Sequence, residues 1–234
     1  MNTGLGQITK MSGELDPAKF GSPDAGQNDI ITEIDDITRE GISNKEVMKI
    51  YETWADTYDQ HLDAVHNQSY KNVIREIRKL DLKTDACIMD IACGTGRLGH
   101  ELSKIGFNNL DGLDGSQEML DKAKERNIYN RLMKVMFGPE PVPGIDTDTY
   151  DASIAIGCYI PGHCESDSMQ EIIRITKPGG HAMIQISDQG LACVVGFQET
   201  VDAHIAAKKW KLISSTRITT YDTMEGTLFT FQVL

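Results

Sequence analysis

Basic residues are scarce in this chain of 234: 23 Lys and Arg stand against 35 Asp and Glu, a formal charge of −12. Sequence-independent binding to nucleic acid draws its affinity from cations that neutralise phosphates, so the balance argues against a nucleic-acid partner, and against an anionic membrane surface likewise. Long apolar runs are missing too. Nothing approaches the roughly 18 to 20 apolar residues of a transmembrane helix, and the first residues lack the basic-then-apolar profile of a signal peptide. The expectation is a cytoplasmic chain with no membrane partner. Cys87, Cys93, Cys158, Cys164 and Cys193 are odd in number and show no C-x-x-C spacing, which indicates neither a disulfide framework nor a zinc site. His163 beside Cys164 is too few ligands for a metal, so no metal is expected. No period of 20 to 50 residues recurs, and the length fits one domain with an ordinary core.

Residues 1 to 42 scatter Gly, Pro, Ser and Asn among isolated apolar positions and read as a flexible acidic tail. Ile30, Ile31, Ile34 and Ile37 within it have helical spacing, which leaves an interaction segment as the alternative. Ser43, with Glu46 three residues on, reads as a capping box opening a helix that carries Val47, Ile50, Tyr51 and Trp54 on one side. A second helix is expected from about 67 to 80, with Val73, Ile74, Ile77 and Leu80 as its stripe. Strand and helix signals then alternate: strand 86 to 92, helix 97 to 105, strand 109 to 114, helix 116 to 126, strand 131 to 137, strand 151 to 157, helix 166 to 175, strand 181 to 187. Alternation of this kind implies an α/β fold with a parallel sheet covered on both faces. After a helix from about 199 to 209, residues 210 to 220 and 226 to 233 read as two long strands able to pair antiparallel.

The chemistry is concentrated at Ile88-Met89-Asp90-Ile91-Ala92-Cys93-Gly94-Thr95-Gly96, an apolar run that ends in an acid and breaks into a glycine turn before a helix. This is the first half of a βαβ unit, the usual start of a nucleotide- or nucleoside-binding turn. Gly94-Thr95-Gly96-Arg97-Leu98-Gly99 also matches the dinucleotide fingerprint, so an NAD-binding oxidoreductase is the alternative. Asp90 decides between them. A pyrophosphate would meet its fixed negative charge, whereas S-adenosylmethionine brings an ammonium and a sulfonium and no phosphate.

The segment from Asp90 to Gly96 resembles motif I of class I S-adenosylmethionine-dependent methyltransferases, an acid followed by G-x-G-x-G, with Ala92 in place of the first glycine. A positive φ there would be strained for alanine. The resemblance continues through Asn109 to Leu120, Tyr150 to Gly157, and Arg174-Ile175-Thr176-Lys177-Pro178-Gly179-Gly180. Together with Tyr51-Glu52-Thr53-Trp54-Ala55-Asp56-Thr57-Tyr58-Asp59-Gln60, it is most similar to the methyltransferase-like proteins of the Williams–Beuren deletion region. It implies a Rossmann-like, mostly parallel seven-stranded sheet with a C-terminal antiparallel hairpin, a domain spanning 43 to 234, and a helical lid over 43 to 80.

The resemblance further implies a site, residue by residue. Asp90, with the backbone of Ala92, Cys93 and Gly94, holds the amino-acid end of the cofactor, and Gly96 starts the helix beneath it. Asp114 accepts both ribose hydroxyls, a bidentate use of a carboxylate. Gly115, Ser116 and Met119 lie along ribose and adenine, Phe137 either stacks on adenine or is core, and Gly157 ends the fourth strand. Tyr58 is the lid residue nearest the methionine end. Tyr159 and His163 are candidates for positioning the acceptor or removing its proton, with a solvated loop role open for His163. The loop lacks the Asn/Asp-Pro-Pro-aromatic motif of adenine and glutamine methyltransferases, which points to a small-molecule acceptor, with a protein acceptor as the alternative and S-adenosylhomocysteine as product. A third reading is a methyltransferase fold kept as a non-catalytic binding module, motivated by Ala92. The sequence leaves the acceptor and the oligomeric state open.

Overall fold

A computed structural model describes residues 36–39, 41–221 and 224–234. The expected interaction segment through Ile30, Ile31 and Ile34 lies outside the described residues. Ile37 and Ile42 are each only 6% exposed, so packing begins before the expected boundary at Ser43.

After a helical stretch at 36–38, the described residues form α1 (Asn44–Trp54), α2 (Tyr58–Ala64) and α3 (Ser69–Ile77) ahead of the sheet. The expected capping box opens α1: the Glu46 amide donates to Ser43 Oγ while the Ser43 amide donates to Glu46 Oε2 at 3.0 Å. Helix α2, within the expected lid, has too few turns to show a period of its own. The α/β repeat follows as β1 (Ile88–Ile91), α4 (Arg97–Lys104), β2 (Leu110–Asp114), α5 (Gln117–Glu125), β3 (Arg131–Lys134), β4 (Tyr150–Ile156), α6 (Met169–Ile175), β5 (Thr176–Ser187), α7 (Asp188–Cys193), α8 (Phe197–Ala206), β6 (Trp210–Tyr221) and β7 (Met224–Val233).

The sheet order is β3-β2-β1-β4-β5-β7-β6. All pairs are parallel except β5 with β7 and β7 with β6, the expected reversed hairpin. Two strand ends differ from the expectation. β3 stops at Lys134, which leaves Phe137 in the following loop, and β5 starts at Thr176 because the chain joins β4 through a bulge between Tyr150 and Ala152.

Both faces of the sheet are apolar, as parallel strands between helical layers must be. Met89, Ile91, Leu113 and Ile184 pack in one layer. Ile88, Ile154 and Met183 pack with Val73 and Ile77 of α3 and Leu98 and Leu102 of α4 in the other. Strand alternation therefore puts Asp90 on the same face as Ile88, toward α3 and α4. β1 lies between β2 and β4, so the chain winds away in both directions from this point and opens a crevice at the strands' carboxyl ends.

Candidate active site

Two chambers open in that crevice and meet at Tyr51, Tyr58, Ala92, Gly94, Ile156 and Gly157, which border both. The first is an open cleft of about 600 Å³, solvent at its mouth included, and runs past Asp114, Met119 and Phe137. The second, about 1080 Å³ on the same basis, runs past Asp90, Cys93, Tyr159 and Gln185.

The turn between β1 and α4 sets their junction. Ala92 has φ +53°, the left-handed conformation that costs an alanine about 1 to 2 kcal/mol. Gly94 shares that φ, and a Cβ built on it would meet nothing within 4 Å, so this backbone faces open cleft. The Gly94 amide donates to Asp114 Oδ2 at 2.8 Å, and the Ser116 amide to Oδ1 at 2.9 Å. Asp114 is 8% exposed; burial raises its carboxyl above the ordinary range, and the amides of Ser116, Gly94 and Gly115 oppose that rise. Cys93 donates its amide to Leu113 O at 2.9 Å, stitching the turn to β2.

Gly96 and Gly99 serve something else. Cβ atoms on Gly96, Gly99 and Gly112 would fall 3.0, 2.3 and 3.1 Å from the Tyr129 side chain, so these glycines form a slot for that ring. Its hydroxyl donates to Asp90 Oδ2 at 2.7 Å. Asp90 is buried, and desolvation pushes its pKa up to about 7 against the pull of Tyr129 and the Gly99 amide. The slot is occupied where a dinucleotide would need Gly99 for helix packing against its pyrophosphate turn, and the sheet lacks the second nucleotide-binding half. The fingerprint match is therefore a coincidence of spacing.

Other expected residues divide. Met119 and Phe137 border the first chamber, and Phe137 is only 5% exposed in the core. Gly115 borders it too, with the Met48 and Met136 side chains within 2.9 Å of where a Cβ would sit. Ser116 does not border it: its hydroxyl caps α5, accepting from the Met119 amide at 3.2 Å. Tyr159 borders the second chamber, but its hydroxyl pairs with Ser168 Oγ at 3.0 Å inside the core, so it presents no acid or base to the cleft.

His163 is held from both sides. Pro161 O can only accept, so the 2.9 Å contact makes Nδ1 the protonated nitrogen, and Nε2 takes the Tyr51 hydroxyl at 2.9 Å. Burial lowers its pKa to about 4, which keeps the imidazole neutral at physiological pH. It is not the solvated loop histidine that sequence alone allowed. Tyr51 also meets Trp54 face to face at 6.0 Å, while Tyr58 stands edge-on to Trp54 at 4.8 Å. Beside them α2 is clasped to the glycine turn: Asp59 accepts from Thr95 Oγ1 at 2.6 Å and from the Arg126 guanidinium. Arg97 donates to Asp59 O, Asp63 and the Tyr70 hydroxyl.

A methyltransferase-domain family model matches residues 88 to 180. Human methyltransferase-like protein 27 is 29% identical over 168 residues, 70% of this chain and 68% of that protein. With the fold, these matches support a class I S-adenosylmethionine-dependent methyltransferase. A demethylmenaquinone methyltransferase of Chlorobaculum tepidum is 29% identical over 147 residues, 61% of this methyltransferase and 60% of the relative. A mouse tRNA (carboxymethyluridine(34)-5-O)-methyltransferase is 22% identical over 151 residues, 20% of its own length. Among solved structures, a TehB-like S-adenosylmethionine-dependent methyltransferase from Corynebacterium glutamicum superposes at TM-score 0.57 and 18% identity, over 79% of this chain and 98% of that one. One from Geobacter sulfurreducens, in complex with S-adenosylhomocysteine, superposes at 0.51 and 12%, over 70% and 90%. At these identities the likeness is one of fold.

The residues on which sequence reasoning was silent are Tyr129 and Gln185. Tyr129 lies in the connection before β3 and Gln185 inside β5, and neither stands in a recognisable pattern. Among the described residues, three buried side-chain atoms have no hydrogen-bond partner: His181 Nδ1, Gln185 Oε1 and Thr230 Oγ1; of these residues only Gln185 borders a chamber.

Proposed function

We propose that this methyltransferase holds the adenosine of S-adenosylmethionine in the first chamber and its amino-acid end at the junction, and methylates a small molecule. The observation that carries the cofactor assignment is Asp114. Its two oxygens accept the Gly94 and Ser116 amides, with the Gly115 amide also turned to the carboxylate, and it keeps lone pairs to offer beside a Gly94 backbone whose side-chain space is empty. Two ribose hydroxyls fit that donor demand. When bound, the cofactor supplies a methyl group on a sulfonium, open to in-line displacement. The chain's part is alignment and exclusion of water.

Asp90 faces the ammonium, steadied by Tyr129. The lid aromatics Tyr51 and Tyr58 cover the junction where the reacting atoms meet. For a protonated acceptor, the Tyr51 hydroxyl passes its proton to His163 Nε2 as it receives the acceptor's, a route that the neutral imidazole leaves open at physiological pH. Tyr159 is left with a packing role.

The small-molecule reading is supported by the charge of −12, which offers little to a phosphate backbone, and by clefts whose lining carries Arg97 as its one Lys or Arg among the described residues. A demethylmenaquinone enzyme among the relatives agrees with it, and the tRNA enzyme is the counterexample. We also place the protein in the cytoplasm. Its five cysteines are free thiols, as a reducing compartment keeps them, and no described helix is long and apolar enough to cross a membrane.

Calorimetric titration of the full chain with S-adenosylhomocysteine tests the assignment. Binding is expected, with at least a tenfold loss in Asp114→Ala, since a buried charged hydrogen bond is worth about 1.5 to 3 kcal/mol. No binding by folded protein would favour the non-catalytic module instead.

A further inference from the structure

The second chamber extends past Asp90 to Tyr159, Ile160 and Gln185, and it has a polar feature in its lining. Gln185 is 2% exposed, borders the chamber, and its Oε1 has no partner. An unsatisfied buried amide costs about 1 to 3 kcal/mol, so on stability alone a leucine would serve β5 better. Strand alternation puts Gln185 on the face that carries Asp90 and Ile156. It pairs in register with Ile156 of β4, one of the residues where the chambers meet, one strand spacing or about 4.8 Å away.

The rest of the lining is uncharged apart from two groups. Asp90 and Arg97 are the lining residues with acidic or basic side chains among those described, and the Arg97 guanidinium is engaged by Asp59 O, Asp63 and Tyr70. Leu62, Tyr70, Ile160 and Ile186 supply apolar wall. An acceptor with a phosphate or carboxylate would meet Asp90 and no uncommitted cation.

We infer that the second chamber is the acceptor subsite, and that the Gln185 carboxamide selects an uncharged small molecule with an apolar body bearing one hydroxyl or N–H group. This rests on the methyltransferase reading above. Whichever way round the amide sits, it offers one donor and one acceptor, which a hydroxyl satisfies and a hydrocarbon does not.

The test uses the full chain saturated with S-adenosylhomocysteine, titrated with naphthol, naphthalene and naphthoate by ligand-observed NMR. Naphthol binds wild type roughly three- to tenfold more tightly than naphthalene, the worth of one hydrogen bond, and naphthoate binds least. Gln185→Leu binds naphthol and naphthalene alike, with unchanged S-adenosylhomocysteine affinity and a thermal midpoint no lower than wild type. The inference is overturned if Gln185→Leu keeps the naphthol preference, if naphthoate binds as well as naphthol, or if no probe binds the cofactor-loaded protein. Failure of S-adenosylhomocysteine to bind overturns the cofactor assignment itself, and the subsite with it.

Discussion

Gly99→Ala opposes two effects of different sign. Gly99 lies inside α4, where alanine should add about 1 kcal/mol of stability on helix propensity. The structure says the reverse. A Cβ at Gly99 would stand 2.3 Å from the Tyr129 hydroxyl oxygen and 2.5 Å from the ring carbon that bears it, about 1 Å inside contact distance. Tyr129 is partly buried, wedged against Gly96, Gly99 and Gly112, and has little room to yield toward them. Pushing its hydroxyl back by about 1 Å breaks the 2.7 Å bond to Asp90. Overpacking costs about 1 to 3 kcal/mol, and a lost hydrogen bond to a charged group about 1.5 to 3. Less the propensity gain, the net is a destabilisation of about 1.5 to 5 kcal/mol, or a fall of roughly 3 to 20 °C in midpoint for a domain of this size. Calorimetric or circular-dichroism melts at pH 8, where Asp90 is ionised, measure it. In Gly99→Ala/Tyr129→Leu the steric cost should be largely relieved, giving a coupling above about 1 kcal/mol. A Gly99→Ala protein that melts higher than wild type, as the helix alone would have it, refutes the Tyr129 slot and its support of Asp90.

Ala92→Gly relieves the left-handed alanine and should raise stability by about 1 kcal/mol, a midpoint gain of roughly 2 to 4 °C; an unchanged or lower midpoint would show that the turn is not strained there. Asp90 and His163 act oppositely on pH dependence. Asp90, raised to about 7, contributes stability fully present below its unfolded value near 3.8 and lost as pH rises through about 7. His163, lowered to about 4, contributes stability present above 6.5 and lost as pH falls toward about 4. The two offset each other between pH 4 and 7. In Asp90→Asn the offset disappears, so between pH 7.5 and 5 the variant should lose about 2 to 3 kcal/mol relative to wild type in urea titrations, and parallel pH curves would contradict the buried carboxyl. Asp59→Asn weakens the clasp between α2 and the glycine turn. It should speed release of S-adenosylhomocysteine several-fold in stopped-flow measurements with at most about 1 kcal/mol lost in stability, given that the pair is partly exposed. An unaltered release rate would mean that α2 does not gate the cleft.

What the sequence made legible follows from how far along the chain each signal reaches. The βα alternation, the capping box at Ser43 and the reversed hairpin are written in periods and pairs of nearby residues, and each is found where those signals place it. β3 ends early and β5 begins early because sheet edges and bulges depend on partner strands, which no local period records. Asp90 and Asp114 were findable because Asp90 stands near the end of β1, just ahead of the glycine turn, and Asp114 ends β2 beside Gly115. Tyr129 meets Asp90 from 39 residues away, and Gln185 is polar inside an apolar strand, visible only once its neighbours are known. Ser116 shows the opposite fault: the family resemblance set it along the cofactor, whereas its hydroxyl caps α5.

The glycine turn carries two separate demands that a motif compresses into one. Gly94 is open toward the cleft, and Ala92 adopts the same left-handed φ with a methyl group, so the ligand side of the turn tolerates a small side chain at one position at the cost of backbone strain. Gly96 and Gly99 are closed by Tyr129, so their lack of a side chain serves the protein's own packing and, through it, the Asp90 carboxylate. Substitutions on the two sides should therefore fail differently. A side chain at Gly94 should weaken cofactor binding, with a stability cost set by its φ of +53° alone. One at Gly99 should lower stability first, and reach cofactor binding only by releasing Asp90.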